Sequence, residues 1–208
     1  MTTLCECDLR QQNTKPKMPI RERAPGPQVV SYAGERIYFR PIELEDETIL
    51  RRWINDPSVW RTLCIRPPVN AVRQQEWIET LSKDPTQTVF GIVAREDRRL
   101  IGTVGLTNIR AAERSADLGI SVGEVAWWER GYGREAVRLM VRYGFEELNL
   151  NRIGLQVYSD NWRAIRCYQK AGFVHEGCLS QAAYRNGRYQ DVYLFAMLRD
   201  QWESGQYA

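Results

Sequence analysis

A glycine-rich turn runs directly into a helix-forming segment at residues 125–136, VAWWERGYGREA. Such a turn suits an anion, because the first backbone N–H groups of a helix have no partner within it and the helix dipole favours negative charge there. Gly131 and Gly133 carry no Cβ, so a phosphate could approach the backbone closely. Arg130 and Arg134 would add positive charge. The glycines could equally serve only to shape a tight turn.

The same glycines fit the dinucleotide-binding pattern G-x-G-x-x-G/A, with Ala136 in the last place and Asp160 at the end of a later strand. In dinucleotide folds the first strand runs straight into the first glycine, whereas here EVAWWER intervenes. Asp160 also lies farther along than the expected ~20 residues. Too little chain follows for a doubly wound sheet, and the NTPase loop GxxxxGK[ST] does not occur.

The composition predicts one cytoplasmic domain with a tail. The 208 residues can bury a full hydrophobic core, and no segment approaches the ~20 apolar residues of a membrane span. Five scattered cysteines favour a reducing compartment over a disulfide framework. Cys5 and Cys7 have no companion His or Cys nearby, so we expect no metal site. With a net charge of +3 and no blocks of like charge, we expect neither a nucleic-acid nor a membrane partner.

Periodicity predicts an α/β domain with a mixed sheet over residues 34–204, after a disordered tail of polar and proline residues at 1–33. The predicted order is strand, two helices, three strands, helix, strand, helix, two strands. The segments are 36–43, 48–56, 70–84, 87–97, 98–110, 115–123, the helix after Gly133, 152–160, 161–173, 177–185 and 188–198.

Local signals predict where several of these elements begin and end. Asp46 and Asn70 are placed to cap the first two helices, and Pro57 is placed to close the first. Gly172 is expected to end the last helix, and Asn186 with Gly187 to form a type I′ hairpin turn.

Three motifs, in the right order, resemble the GCN5-related N-acetyltransferases, which bind acetyl-coenzyme A. WERGYG (128–133) is similar to their Gln/Arg-x-x-Gly-x-Gly/Ala signature, and ADLGI (116–120) to their AEI strand. NWRAIRCYQKAGF (161–173) resembles N-x-x-A-x-x-x-Y-x-K-x-G-F throughout. The resemblance covers about residues 34–203, and its later half is most like the branch that acetylates ribosomal-protein N-termini.

This resemblance implies a mostly antiparallel sheet flanked by helices, and acetyl-CoA bound with its pyrophosphate on the helix that follows Gly131. Trp128 stands where the family has Gln or Arg, which should cost little because main-chain N–H groups recognise the phosphates. The residues that the resemblance assigns to acetyl-CoA are Ile120, Ser121, Val122, Trp128, Arg130, Gly131, Tyr132, Gly133, Arg134, Glu135, Ala136, Asn161, Ala164 and Tyr168.

Acetyl transfer from a thioester to an amine requires a proton for the departing thiolate, and Tyr168 resembles the family's general acid. The tyrosine could instead be a core residue, since it shares a helical face with Ala164 and Ile165. His175 has no visible partner and is interpreted as structural. Without a histidine to activate it, Cys167 is not expected to form an acetyl-enzyme.

The amine must lose a proton and the transition state needs an oxyanion site. Asp117 matches a glutamate that is catalytic in several family members, although it is one methylene shorter. It could accept the proton through water, or it could be a solvent-facing strand residue. Glu124 and Glu113 are the alternative bases. The resemblance assigns the oxyanion to a backbone N–H near residues 120–122.

In relatives the acceptor groove is bounded by segments that correspond here to residues 60–70 and 184–193. Their four arginines would repel a polycation such as spermidine and attract an acidic peptide or a sugar nucleotide. These are Arg61, Arg66, Arg185 and Arg188. The acidic run at 43–47 argues the other way, unless it only complements a helix N-terminus.

The leading hypothesis is an N-acetyltransferase that acts on a protein N-terminal amine. An amino-sugar nucleotide or a polyamine is the alternative acceptor. A non-catalytic acyl-CoA-binding protein and a dinucleotide-dependent oxidoreductase are the competing classes. The oligomeric state stays open, a homodimer included.

Overall fold

The computed structural model describes residues 31–205. Within this range the strands are β1 (Tyr32–Ala33), β2 (Ile37–Arg40), β3 (Thr88–Ala94), β4 (Leu100–Arg110), β5 (Ser115–Val122), β6 (Arg152–Tyr158), β7 (Val174–Arg185) and β8 (Arg188–Leu198). The helices are α1 (Glu47–Asn55), α2 (Pro57–Trp60), α3 (Ala71–Leu81), α4 (Tyr132–Glu146), α5 (Trp162–Ala171) and α6 (Arg199–Glu203). None of the described helices is long and apolar enough to cross a membrane.

The strands form one sheet in the order β1-β2-β3-β4-β5-β6-β8-β7. Within the described residues every neighbouring pair is antiparallel except β5 and β6, which pair in parallel only from Ser115 with Arg152 to Asp117 with Gly154. Beyond these residues β5 continues along β4 to Val122, while β6 continues along β8 to Tyr158. The two strands therefore separate and leave an opening in the middle of the sheet.

Two hydrophobic clusters cover the two faces of this sheet. On one face α4 and α5 pack on strand residues such as Leu106 and Ile153, with Val137, Val141 and Phe145 as the buried stripe of α4. On the other face α1, α2 and α3 form a smaller cluster. Phe90 contacts Tyr143 of α4, whereas its neighbour Val89 packs with the second cluster, as alternation along a strand requires.

The predicted α/β class and mixed, mostly antiparallel sheet are confirmed. Asn70 caps α3 by accepting from the Arg73 N–H at 2.9 Å, and Gly172 ends α5 with φ 104°. Asn186 and Gly187 both have positive φ in the predicted hairpin turn.

Asp46 occupies the N-cap position of α1, as predicted, but its side chain makes no cap hydrogen bond within the described residues. Its carboxylate binds Arg40 at 2.7 Å and the Glu43 N–H at 3.0 Å, so it fixes the 3₁₀ turn before the helix instead. Pro57 follows the end of α1 as predicted, but it also begins α2, which Asp56 caps through the Ser58 N–H.

The domain begins earlier than residue 34, because Tyr32 and Ala33 form β1 on the edge of β2. The Tyr32 hydroxyl donates to Glu146 at 3.0 Å, and its ring lies edge-on to Tyr143. The predicted disorder of residues 1–30 lies outside the described residues.

Candidate active site

The N-terminus of α4 is open to a ligand. Gly131 precedes the helix with φ 88°, a left-handed conformation that glycine adopts without strain, and among residues 31–205 no side chain caps the helix. The first helical hydrogen bond runs from the Glu135 N–H to the Gly131 carbonyl at 3.1 Å, so the three preceding N–H groups lie before it. Of the residues that the structure describes, a Cβ on Gly133 would meet Val122 and Cys167 alone, at 3.8 and 3.9 Å. These features fit the pyrophosphate of acetyl-CoA.

Glu135, one of the residues predicted to bind acetyl-CoA, uses its carboxylate within the protein. Its Oε1 accepts from the N–H groups of Arg36 at 2.7 Å and Ile37 at 3.3 Å, and its Oε2 accepts from the Arg36 guanidinium at 3.0 Å. The carboxylate thus ties the start of β2 to the first turn of α4.

The aromatic residues of the motif face the protein. Tyr132 is buried, with its ring 4.8 Å from Trp127, and Ala136 is fully buried. Both can therefore contribute only backbone groups to a ligand. Arg130 lies over the Trp127 ring and 3.7 Å from Glu96, while Arg134 is exposed on the first turn of α4.

Trp128 and Arg163 form a stack beside this helix start. The Trp128 indole N–H donates to the Val122 carbonyl, at the end of β5, at 2.7 Å. The Arg163 guanidinium lies 3.5 Å from the centre of the Trp128 ring. Nothing in the sequence pattern pairs these two side chains, and Arg163 was not among the predicted site residues.

Tyr168 lies on α5 and is buried in the same hydrophobic core as Ile120 and Val122, which belong to the half of β5 that no longer pairs with β6. Burial strongly raises the pKa of its hydroxyl, and the nearby Cys167 and Cys64 thiols raise it further. Among residues 31–205 no hydrogen-bond partner holds that hydroxyl. Tyr168 is thus both buried, as a core residue would be, and kept protonated, as a general acid must be.

The other α5 residues considered for the site are Asn161, Ala164 and Cys167. The Asn161 side chain caps α5 by accepting from the Ala164 N–H at 3.3 Å, and Ala164 is half-buried against the core. Burial raises the pKa of Cys167 to about 11, so this thiol stays protonated at neutral pH. A protonated, largely buried thiol is a poor nucleophile, which agrees with the expected absence of an acetyl-enzyme.

Asp117 lies at the closed end of the opening. Its Oδ2 accepts from Asn108 at 2.9 Å, and its Oδ1 is 3.7 Å from the Arg110 guanidinium. Of the alternative bases, Glu124 accepts from Arg52 and from the Trp53 indole, and Glu113 is exposed in the turn between β4 and β5. The role of Asp117 as the base stays a prediction.

The segment after α2 reaches across the opening to the β7–β8 hairpin. The Arg66 guanidinium donates to the Tyr184 carbonyl at 3.0 Å, and the Arg185 guanidinium lies 4.0 Å from the centre of the Tyr158 ring. Burial and a hydrogen bond with Cys64 raise the pKa of Tyr158 to about 12, while Arg185 and Arg66 oppose this. The structure therefore brings two of the four predicted arginines around one hydroxyl.

The other two arginines are not brought there. Arg61 lies 5.7 Å from the Trp60 ring, and Arg188 is exposed in the hairpin. Tyr158 and Cys64, which lie beside Arg66 and Arg185, were not predicted from the sequence because neither stands in a motif.

Residues 36–174 match the family model described as the acetyltransferase (GNAT) domain. The chain belongs to the GNAT acetyltransferases. It is 32% identical over 171 residues to an uncharacterized N-acetyltransferase, p20, from Bacillus licheniformis, covering 81% of this chain and 96% of that protein. An L-amino acid N-acetyltransferase from Escherichia coli is also 32% identical, over 78% of this chain and 98% of its own length.

A GNAT structure with bound ligands is similar throughout the domain. The crystal structure of spermidine N-acetyltransferase from Vibrio cholerae in complex with CoA and spermine has a TM-score of 0.76 and 27% identity. It covers 81% of this chain and 98% of that one. This chain is accordingly an acetyl-CoA-dependent N-acetyltransferase, and neither the non-catalytic nor the oxidoreductase hypothesis is needed. The branch that acetylates ribosomal proteins is not distinguished by these relatives.

Proposed function

We propose that this enzyme transfers acetyl directly from acetyl-CoA to a primary amine held on the Tyr158 side of the opening, with Tyr168 protonating the departing thiolate. The observation that carries the proposal is the buried, protonated Tyr168 in the same core cluster as Ile120 and Val122, the half of β5 that has left β6. The neutral Cys167 thiol beside it supports transfer without an acetyl-enzyme. We place the reaction in the cytoplasm.

The oxyanion of the transition state would be bound by β5. In an antiparallel pair, alternate N–H groups of a strand point away from its partner. Beyond Asp117, β4 is the partner of β5 on one side, and on the other side no described strand pairs with it. N–H groups of residues 118–122 that point into the opening are therefore free to donate to the thioester oxygen.

The comparisons favour a polyamine acceptor over the protein N-terminus that the sequence suggested first. The support is the spermidine N-acetyltransferase of Vibrio cholerae, whose ligands in the similar crystal structure are CoA and spermine. We therefore take a polyamine as the leading acceptor class.

Arg66 and Arg185 favour a second class, an amine that also carries a negative group. Among residues 31–205 neither guanidinium has a carboxylate partner, and both act on the Tyr158 hydroxyl. A carboxylate or phosphate on the acceptor would supply one. Amino acids, amino-sugar nucleotides and acidic peptide N-termini share this chemistry, and the L-amino acid N-acetyltransferase of Escherichia coli lends it support.

An acceptor panel tests both classes by following free thiol release. Spermidine, L-amino acids, an amino-sugar nucleotide and an acidic peptide would each be assayed with the wild type, Arg66→Gln, Arg185→Gln and, as a control at the exposed hairpin, Arg188→Gln. For a polyamine, each of the first two changes should raise kcat/KM about fivefold, since removing a nearby like charge is worth about 1 kcal/mol. For an anionic acceptor the same changes should lower it. Turnover with none of these amines would contradict the proposed function.

A further inference from the structure

The pyrophosphate motif of this chain lacks the polar side chain that begins it in the family. Trp128 has no charge, and its single donor is already used by the Val122 carbonyl at 2.7 Å. The side chain at this position therefore offers a ligand no hydrogen bond. If a side-chain charge contributes to phosphate binding here, another residue must supply it.

Arg163 brings a positive charge to the same place from the first turn of α5. Its guanidinium lies over the Trp128 ring at 3.5 Å, and the side chain is half-buried. Burial lowers the pKa of Arg163, and the neighbouring Glu129 opposes this only from a distance. Within residues 31–205 no hydrogen bond or ion pair satisfies this guanidinium. A partly desolvated cation without an acceptor is costly unless an anion binds it.

We infer that Arg163 binds a phosphate group of acetyl-CoA and so replaces, from α5, the charge that the motif lacks at Trp128. The Trp128 ring fixes the plane of the guanidinium, which leaves its edge free for bidentate contact with phosphate oxygens. The inference rests on the proposed function, because it takes acetyl-CoA as the ligand of the α4 N-terminus.

The first experiment compares ligands with and without phosphates. The Kd values of CoA and of pantetheine would be measured by calorimetry for the wild type and Arg163→Gln. The variant should bind CoA about tenfold or more weakly, as expected for the loss of a charge-assisted hydrogen bond, and pantetheine unchanged. Arg166→Gln is the matched control, because Arg166 lies on the same helix and stacks on exposed Trp162 at 5.2 Å. It should leave both Kd values unchanged.

The second experiment moves the charge back to the motif position. Trp128→Arg in the Arg163→Gln background should recover most of the CoA affinity, whereas Trp128→Phe in the same background should not. Should the Trp128 variants fail to fold, the CoA and pantetheine comparison decides alone. An unchanged Kd for CoA in Arg163→Gln, or an equal loss for pantetheine, would overturn the inference. A wild type that binds no CoA at all would instead overturn the proposed function.

Discussion

Tyr168 has the properties of a core residue and also those of a general acid. Its ring packs edge-on to Phe173 at 6.0 Å, and burial keeps its hydroxyl protonated. A general acid in this enzyme must hold its proton until a thiolate leaves, and a raised pKa serves that purpose at neutral pH. The packing and the proposed chemistry thus depend on different parts of one residue, which a substitution can separate.

Tyr168→Phe should lower kcat by about 10²-fold or more, the lower end of what general acid catalysis contributes, while the CoA Kd and the melting temperature barely move. The hydroxyl has no hydrogen-bond partner among the described residues, so its removal should not weaken the fold. The loss should shrink with an acyl donor whose thiol is more acidic, because that thiolate leaves without a proton. Tyr143→Phe, on α4 against Phe90 and outside the candidate site, is the control for kcat. Full kcat in the Tyr168→Phe variant would show that Tyr168 is a core residue and not the general acid.

Substitutions at Gly133 can separate an effect on ligand binding from an effect on the fold. Gly133→Val should abolish most CoA affinity, because a branched side chain would project into the space that the pyrophosphate needs. Gly133→Ala is the matched control. The family motif accepts alanine here, and a Cβ would lie at ordinary contact distances from Val122 and Cys167. Calorimetry with CoA checks both variants. Equal affinities in the two folded variants would show that the pyrophosphate does not bind at this helix start.

At the scale of elements, the sequence predicted what is decided locally. The Asn70 cap, the Gly172 terminus and the Asn186–Gly187 turn each depend on residues within one turn of each other. Contacts between distant segments left no such signal. Nothing near Glu135 indicates that its partner is Arg36, 99 positions away, and nothing near Arg66 indicates the Tyr184 carbonyl.

In the candidate site, too, the sequence predicted the parts that depend on local motifs and missed the contacts between distant segments. The motifs located the α4 helix start and Tyr168, because the family resemblance lies in short continuous stretches. Arg163 stacked on Trp128, and Cys64 beside Tyr158, arise only when α5 and the segment after α2 pack in place. Two-residue β1 was missed because Tyr32 follows a polar, proline-containing stretch.

The start of the domain can be tested by truncation. A chain that begins at Ser31 should keep the melting temperature of the full chain, whereas one that begins at Gly34 should be destabilised by about 1–2 kcal/mol. The shorter chain loses the Tyr32–Tyr143 aromatic contact and the hydrogen bond to Glu146. Tyr32→Ala in the full chain should reproduce most of the loss. Equal thermal unfolding of both truncated chains would show that β1 contributes nothing.

For the molecule as a whole, burial of weak acids makes the free energy of unfolding vary with pH in the alkaline range. The pKa of Cys167 rises from 9.0 to about 11 and that of Tyr158 from 10.0 to about 12. Both groups stay protonated in the folded state over a range in which the unfolded chain has ionised. Their contribution is complete below pH 9 and is lost as the pH rises towards 11 and 12.

Between pH 9 and 11 the unfolding free energy should therefore fall, and Cys167 alone should account for up to about 1.4 kcal/mol per pH unit. Urea unfolding at pH 8, 9 and 10.5 checks this, with Cys167→Ala giving a shallower decline than the wild type. Identical slopes would contradict it. The same variant should keep acetyl transfer, since no acetyl-cysteine is proposed.

The separation of β5 from β6 also gives this protein an edge strand in the interior of its sheet. Edge strands present unpaired backbone groups that invite another polypeptide to add itself, which is a common route to aggregation. Here α5 lies close to the end of the unpaired half of β5, because Val122 and Cys167 lie 3.8 and 3.9 Å from the same point, the Cβ position of Gly133. A narrow arm such as pantetheine can reach that edge, but a peptide carrying side chains on both faces would collide with α5. The fold can therefore leave the unpaired backbone groups of β5 open to a ligand and still resist self-association through this edge.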